Sequence, residues 1–151
     1  YLSADIHEYI ISNYKYIFKG VKDYSPFMTA NILEDNFKID NTEIETFKHN
    51  HGSIDVQTFR INNFAYSTDI KNFYENDIDK LKNLDLWIVG LLRYDSHPSH
   101  AGFDQILDYI NYLKPKKTLF THMTALLDQE DLLSKCPENV GPAYDGLEIT
   151  L

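Results

Sequence analysis

Three ligand-type side chains stand at the ends of three different apolar runs. Phe64-Ala65-Tyr66-Ser67-Thr68-Asp69-Ile70 reads as a short strand that ends in a carboxylate. His51 precedes it in Lys48-His49-Asn50-His51-Gly52, and His122 follows a second strand in Thr118-Leu119-Phe120-Thr121-His122-Met123. Imidazole nitrogen and carboxylate oxygen together suit zinc, manganese or iron(II). A carboxylate has two oxygens and can bridge two cations, as two-metal hydrolysis requires. A further pair of imidazoles, in His97-Pro98-Ser99-His100, follows the strand that carries Arg93 and precedes an amphipathic helix. Either would serve as a ligand, a proton donor or a phosphate contact.

Each of these residues has an ordinary reading when taken alone. His51 is then an exposed loop histidine, Asp69 a turn or helix cap, and His122 a polar strand end. Their distribution argues for a site: five of the six histidines fall in three strand-end segments, and only His7 lies elsewhere. Gly52 lets the backbone turn sharply beside His51. Thr68 can orient the Asp69 carboxylate by hydrogen bonding.

The elements that must position these groups are read from hydrophobic period. Ile6, Tyr9, Ile10, Tyr14 and Ile17 predict a helix over 5–18, with Ser3 as its cap. Residues 19–36 show no period and predict loop or irregular strand. Phe37 to Phe47 predicts two short strands broken at Asp40-Asn41, and Val56 to Ile61 with Phe64 to Thr68 a hairpin around Asn62-Asn63, since Asn tolerates positive φ. Tyr74 to Leu84 predicts a short helix. The continuous apolar run Leu84 to Leu92 predicts a strand covered on both faces. Ala101 to Leu113 predicts an amphipathic helix with Phe103, Ile106, Leu107, Ile110 and Leu113 on one stripe, stopped by Pro115. A strand over 117–121, a helix near 128–135 and a final strand over 146–151 complete an alternation that predicts layered α/β packing.

Composition narrows the function classes. Of 151 residues, 43% are hydrophobic and 14% aromatic, enough for a globular core. The net charge of -9 opposes a broad electrostatic grip on nucleic acid, although a phosphate ester at a metal site stays compatible with it. A large RNA substrate is therefore disfavoured rather than excluded. The single Cys136 excludes an intrachain disulfide and any multi-cysteine zinc site, which fits a cytoplasmic setting. No apolar run approaches the ~20 residues needed to cross a bilayer. The chain opens on Tyr1 with no signal-peptide pattern and reads as a piece of something longer.

The series His51-Gly52, Tyr66-Ser67-Thr68-Asp69, His97-Pro98-Ser99-His100, Thr121-His122-Met123 and Ala143-Tyr144-Asp145-Gly146 resembles the metallo-β-lactamase-fold hydrolases over residues 1–151. It looks most like the branch of the phosphonate-pathway phosphodiesterase (PhnP) and, more distantly, tRNA 3′-processing endonucleases. The stretches LDLWIVGLLRY and GPAYDGLEITL add to the likeness. The resemblance implies an α/β fold, the αββα metallo-β-lactamase sandwich, with residues 1–151 forming approximately its C-terminal half as part of a single domain. The family's HxHxDH signature supplies half of the metal ligands and occurs nowhere in this chain.

Carried over position by position, the resemblance implies that His51 ligates the first of two divalent metal ions, zinc or manganese. Asp69 bridges both metals and belongs to the catalytic centre, and His122 ligates the second. His100 faces the leaving group as proton donor, while His97 is nearby support or a substrate contact; Arg93, on the strand before it, is a further candidate substrate contact. The implied activity is metal-dependent hydrolysis of a small phosphodiester. A thioester or lactone hydrolase of the same fold is one alternative, and a non-catalytic interaction module with vestigial ligands is another. With ligands from only half of the set, residues 1–151 are expected to bind metal weakly or not at all. Half of a sandwich also leaves an apolar sheet face bare, so a homodimer or a missing N-terminal partner half is expected.

Overall fold

A computed structural model describes residues 1–150 of the chain. Two compact units are present, Tyr1–Phe37 and Lys38–Leu151. The first contains helices α1 (Ala4–Asn13) and α2 (Lys15–Phe18). These replace the single helix expected over 5–18. The break falls at Tyr14, with φ -113° and ψ 38°. Beside it, the Asn13 side-chain amide donates to the Tyr9 carbonyl at 2.8 Å and so competes with the helical ladder. Ser3 occupies the cap position but caps through its backbone carbonyl, which accepts from Ile6 and His7, and not through its hydroxyl. Residues 19–36 form turns and isolated bridges, as their lack of period predicts.

One seven-stranded sheet runs in the order β1 (Asn36–Ile39), β2 (Thr42–His51), β3 (Ile54–Ile61), β4 (Phe64–Ser67), β5 (Leu86–Gly90), β6 (Lys117–Thr121) and β7 (Val140–Pro142). β3 is antiparallel to both β2 and β4, whereas β4, β5, β6 and β7 are mutually parallel neighbours. β2 therefore points the same way as β4, and the C-terminal ends of β2, β4, β5 and β6 open on one edge of the sheet. The β3–β4 hairpin turns at Asn62, whose φ of 52° bears out the paired-asparagine signal.

The strong amphipathic stripe forms helix α3 (Phe103–Leu113), which buries Phe103, Ile106, Ile110 and Leu113. These side chains join Trp87, Val89, Leu91 and Phe120 in the core. Lys114 ends the helix with φ 52°, its amide donating to the Ile110 carbonyl, and Pro115 follows. Helix α4 (Gln129–Lys135) is capped by Asp128, whose carboxylate accepts from the Asp131 amide at 2.9 Å. No helix among the described residues is long and apolar enough to cross a membrane.

Two expected elements are corrected. The helix predicted over 74–84 is only a single 3-10 turn, Ile78–Leu81. Asn76, Asp77, Asp79 and Asn83 offer the backbone alternatives to the helical ladder, and Asn83 leaves it with φ 60°. The final strand predicted over 146–151 does not form within the described residues, and Leu151 lies outside them. The last ladder partner is instead β7. After it the chain turns at Tyr144–Leu147, and Leu147 and Ile149 line a cavity of about 360 Å³ with Phe64, Leu86, Ile88 and Leu119. Their apolar alternation reflects that packing and not a ladder.

Candidate functional site

The common edge of β2, β4, β5 and β6 gathers the chemistry-bearing residues. His51 is the last residue of β2. Asp69 lies just past β4, and His122 immediately follows β6. His97 and His100 belong to the connection between β5 and α3. Asp69 and His122 both hold left-handed backbone, at φ 57° and 60°. Such conformations cost a non-glycine residue of order 1–2 kcal/mol and turn each side chain abruptly off its strand.

The four segments are stitched to one another through backbone groups. Ala101 donates to the Ile70 carbonyl, Lys71 to Asn50, Leu91 to Thr121, and Thr124 to Leu92. Gln105 adds a side-chain donor to the Lys71 carbonyl at 2.9 Å. Two glycines make room. Gly52, at φ 74°, brings the His51 turn so close to Ser99 that a Cβ would lie 3.1 Å from the Ser99 Cβ. At Gly90 a Cβ would press at 3.2 Å on the Asp69 amide and on the Thr68 Cα.

Around the Asp69 carboxylate, His122 Nε2 lies 3.2 Å from Oδ1 and His51 Nε2 3.9 Å from the same atom. His100 completes the group: donor atoms of His51, Asp69 and His100 all fall within 4.8 Å of one another. The His51 and His100 rings meet edge to face at 4.7 Å between centroids, and the His100 and His122 centroids are 5.6 Å apart. His97 stands behind, 5.9 Å from His100. The structure thus brings together His51, Asp69, His97, His100 and His122. Arg93 lies past the end of β5 and makes none of these contacts. Its Nε is buried with no hydrogen-bond partner among the described residues.

Proton positions follow from the partners. The Ser99 carbonyl, 2.8 Å from His51 Nδ1, can only accept. Nδ1 therefore carries the proton, and Nε2 presents its lone pair on the Asp69 side. His97 has the opposite arrangement. The Ser99 amide donates to its Nδ1 at 3.3 Å, which leaves the neutral ring's proton on Nε2. Burial, and then the charge of neighbouring His51, push the His100 pKa below the ordinary histidine value. A neutral His100 is available as a ligand; a proton donor must be charged. This donor set of imidazole lone pairs and one carboxylate, within a few ångström and backed by a carbonyl-held ring, fits a divalent cation of the zinc or manganese type.

Sequence reasoning missed the layer beneath these residues. His49 is fully buried, two residues before His51 and on the same face of β2. Its Nε2 lies 2.9 Å from the Thr68 carbonyl and its Nδ1 3.0 Å from the Thr58 hydroxyl. The histidine pair spaced by one residue was the available signal, since alternation must send both rings to one side.

The β-lactamase superfamily domain matches residues 1–123. The chain belongs to this family. A diphosphatase of the PhnP family superposes on all of this chain with a TM-score of 0.87 at 22% identity, over 57% of its own length. Zinc-bound PqqB from Methylobacterium extorquens also superposes on all of it, with a TM-score of 0.71 at 12% identity and over 64% of its length. In sequence, an octanoyltransferase of Porphyromonas gingivalis is 30% identical over 115 residues, which are 74% of this chain and 23% of that protein. The fold is that of the metallo-β-lactamases, and the PhnP-like branch expected from the sequence is among its structural neighbours. The chain spans less than two thirds of each of these relatives.

Proposed function

We propose that this chain contributes the C-terminal part of a metal-dependent phosphodiesterase centre. The observation that carries the reading is the convergence of three imidazoles, from His51, His100 and His122, on the Asp69 carboxylate at one sheet edge. In this reading His51, Asp69 and His122 would hold two divalent cations, zinc or manganese. Bound cations would supply Lewis acidity, lowering the pKa of water from ~16 towards ~7 and offsetting charge on phosphoryl oxygens. The residues themselves do the remaining work. The Ser99 carbonyl holds His51 in the tautomer that leaves Nε2 free. His97 offers an Nε2–H to a substrate oxygen. His100 packs against both the His51 and the His122 rings, and in its charged form it would give a proton to the departing alkoxide oxygen.

The compact trio of His51, Asp69 and His100 favours a second assignment for His100, as a ligand. One experiment separates the two. His100→Ala is assayed in the full-length protein with bis(p-nitrophenyl) phosphate at saturating manganese, alongside a thioester and a lactone. A proton donor predicts a fall in turnover of about 10²–10⁴-fold with manganese affinity kept. Unchanged turnover removes that role, a loss of affinity makes His100 a ligand, and turnover of the thioester or lactone alone overturns the phosphodiester reading.

A further inference from the structure

Beneath the site, a line of buried polar groups crosses four strands on one face of the sheet. Its order follows from register. His49 pairs with Val56, and Thr58, two residues further along β3, is its diagonal neighbour. Ser67 pairs with Val89, and Trp87, two residues earlier on β5, is the diagonal neighbour of Ser67. The separations are 3.1 Å from Trp87 Nε1 to Ser67 Oγ, 3.0 Å from Ser67 Oγ to Thr58 Oγ1, 3.0 Å from Thr58 Oγ1 to His49 Nδ1, and 2.9 Å from His49 Nε2 to the Thr68 carbonyl. Every side chain in the line is shielded from water: Trp87, Ser67, Thr58 and His49 are each 0% exposed.

Both ends of the line have fixed roles. The indole N–H can only donate, and the Thr68 carbonyl can only accept. Nε2 of His49 must therefore be protonated. The Thr58 hydroxyl lies within hydrogen-bond distance of both His49 Nδ1 and Ser67 Oγ, and Ser67 Oγ accepts from the Trp87 indole. The last acceptor is the carbonyl of the residue before Asp69, the carboxylate held at φ 57°.

We infer that His49, Thr58 and Ser67 are positioning residues for the metal-ligating carboxylate, clamping the Thr68–Asp69 peptide through a buried hydrogen-bonded line anchored on Trp87. The inference rests on the site reading above for its consequence, and on this geometry for its structure. The chain explains why three polar groups persist in the apolar core formed by Phe47, Phe73 and Trp87. A buried donor without a partner is costly, so the arrangement works only when complete, and completeness fixes the strand end. Groups that support a metal ligand in this way typically change cation affinity by about 10–100-fold when removed.

The test uses the whole chain and two readouts that need no substrate. Nitrogen-15 spectra of the histidine rings report which nitrogen of His49 is protonated. Manganese titration, followed by paramagnetic broadening at Asp69, reports affinity even in the millimolar range. The expected results are a proton on Nε2 of His49 and a dissociation constant raised about tenfold or more in Thr58→Val and Ser67→Ala. Circular dichroism should be unchanged in both variants, and Thr58→Ser should restore the native affinity because it keeps the hydroxyl. A packing role alone predicts the reverse, with Thr58→Val preserved and Thr58→Ser impaired. An Nδ1–H ring at His49, affinity in Thr58→Val within twofold of native, or no detectable manganese at Asp69 would each overturn the inference. Failure of the phosphodiester reading would leave both readouts standing.

Discussion

At the scale of single residues, the site depends on backbone conformations that most side chains avoid. Gly52 is the clearest case. It holds φ at 74°, and a Cβ there would meet Ser99 at 3.1–3.2 Å, the residue whose carbonyl fixes the His51 tautomer. Gly52→Ala combines left-handed strain with displacement of that carbonyl, so a loss of about 1–3 kcal/mol in urea unfolding is expected. An unchanged urea midpoint would mean that the loop relaxes freely. His49 contributes a pH dependence of definite sign. Burial is the largest influence on its ring and lowers its pKa in the folded protein, with the hydrogen bond to Thr68 opposing. The unfolded state then binds more protons than the folded state as pH falls below the ordinary histidine value of about 6.5, so stability must decline in that direction. Urea midpoints of the metal-free protein at pH 7.5 and 5.5 check this, and an equal or higher midpoint at the lower pH would contradict it.

At the scale of elements, the positions of Asp69 and His122 were legible because each follows a run with a clear strand period, whereas the strand expected to stop at Phe47 continues as β2 to His51. Two antiparallel steps from β2 through β3 to β4, followed by parallel crossovers, make it inevitable that their C-terminal ends share an edge, where α/β sheets bind ligands. What the sequence did not reveal depends on cross-strand register. His49, Thr58 and Ser67 are unremarkable polar residues until diagonal neighbours are known, and the segment 74–84 carried a helical period that its Asn and Asp residues overrode. Where a local rule acts alone, the reading succeeded: Asn62 adopts φ 52° at the hairpin turn. Asn62→Ala is expected to cost about 1 kcal/mol from left-handed strain, and Asn62→Gly to be nearly neutral. Equal midpoints for the two variants in urea would show that the turn, and not residue 62, selects the conformation.

At the scale of the whole molecule, ligand number limits what the chain can hold. Two cations at tetrahedral sites need about three or four protein ligands each. The sheet edge supplies the imidazoles of His51, His100 and His122 and the carboxylate of Asp69, and no HxHxDH segment exists in the sequence to complete the set. The net charge of -9 attracts cations generally but does so diffusely, and ordinary salt screens that attraction over about 10 Å. The site's own contribution therefore appears only when ionic strength is high enough to suppress the background. In calorimetry at about 0.15 M salt, residues 1–151 are expected to take up manganese or zinc weakly and at no more than one ion per chain. Asp69→Asn should remove the uptake, because a neutral amide is a much weaker cation ligand than a carboxylate. Stoichiometric binding of two ions at micromolar concentration would contradict this and would mean that further residues among these 151 complete the ligand set.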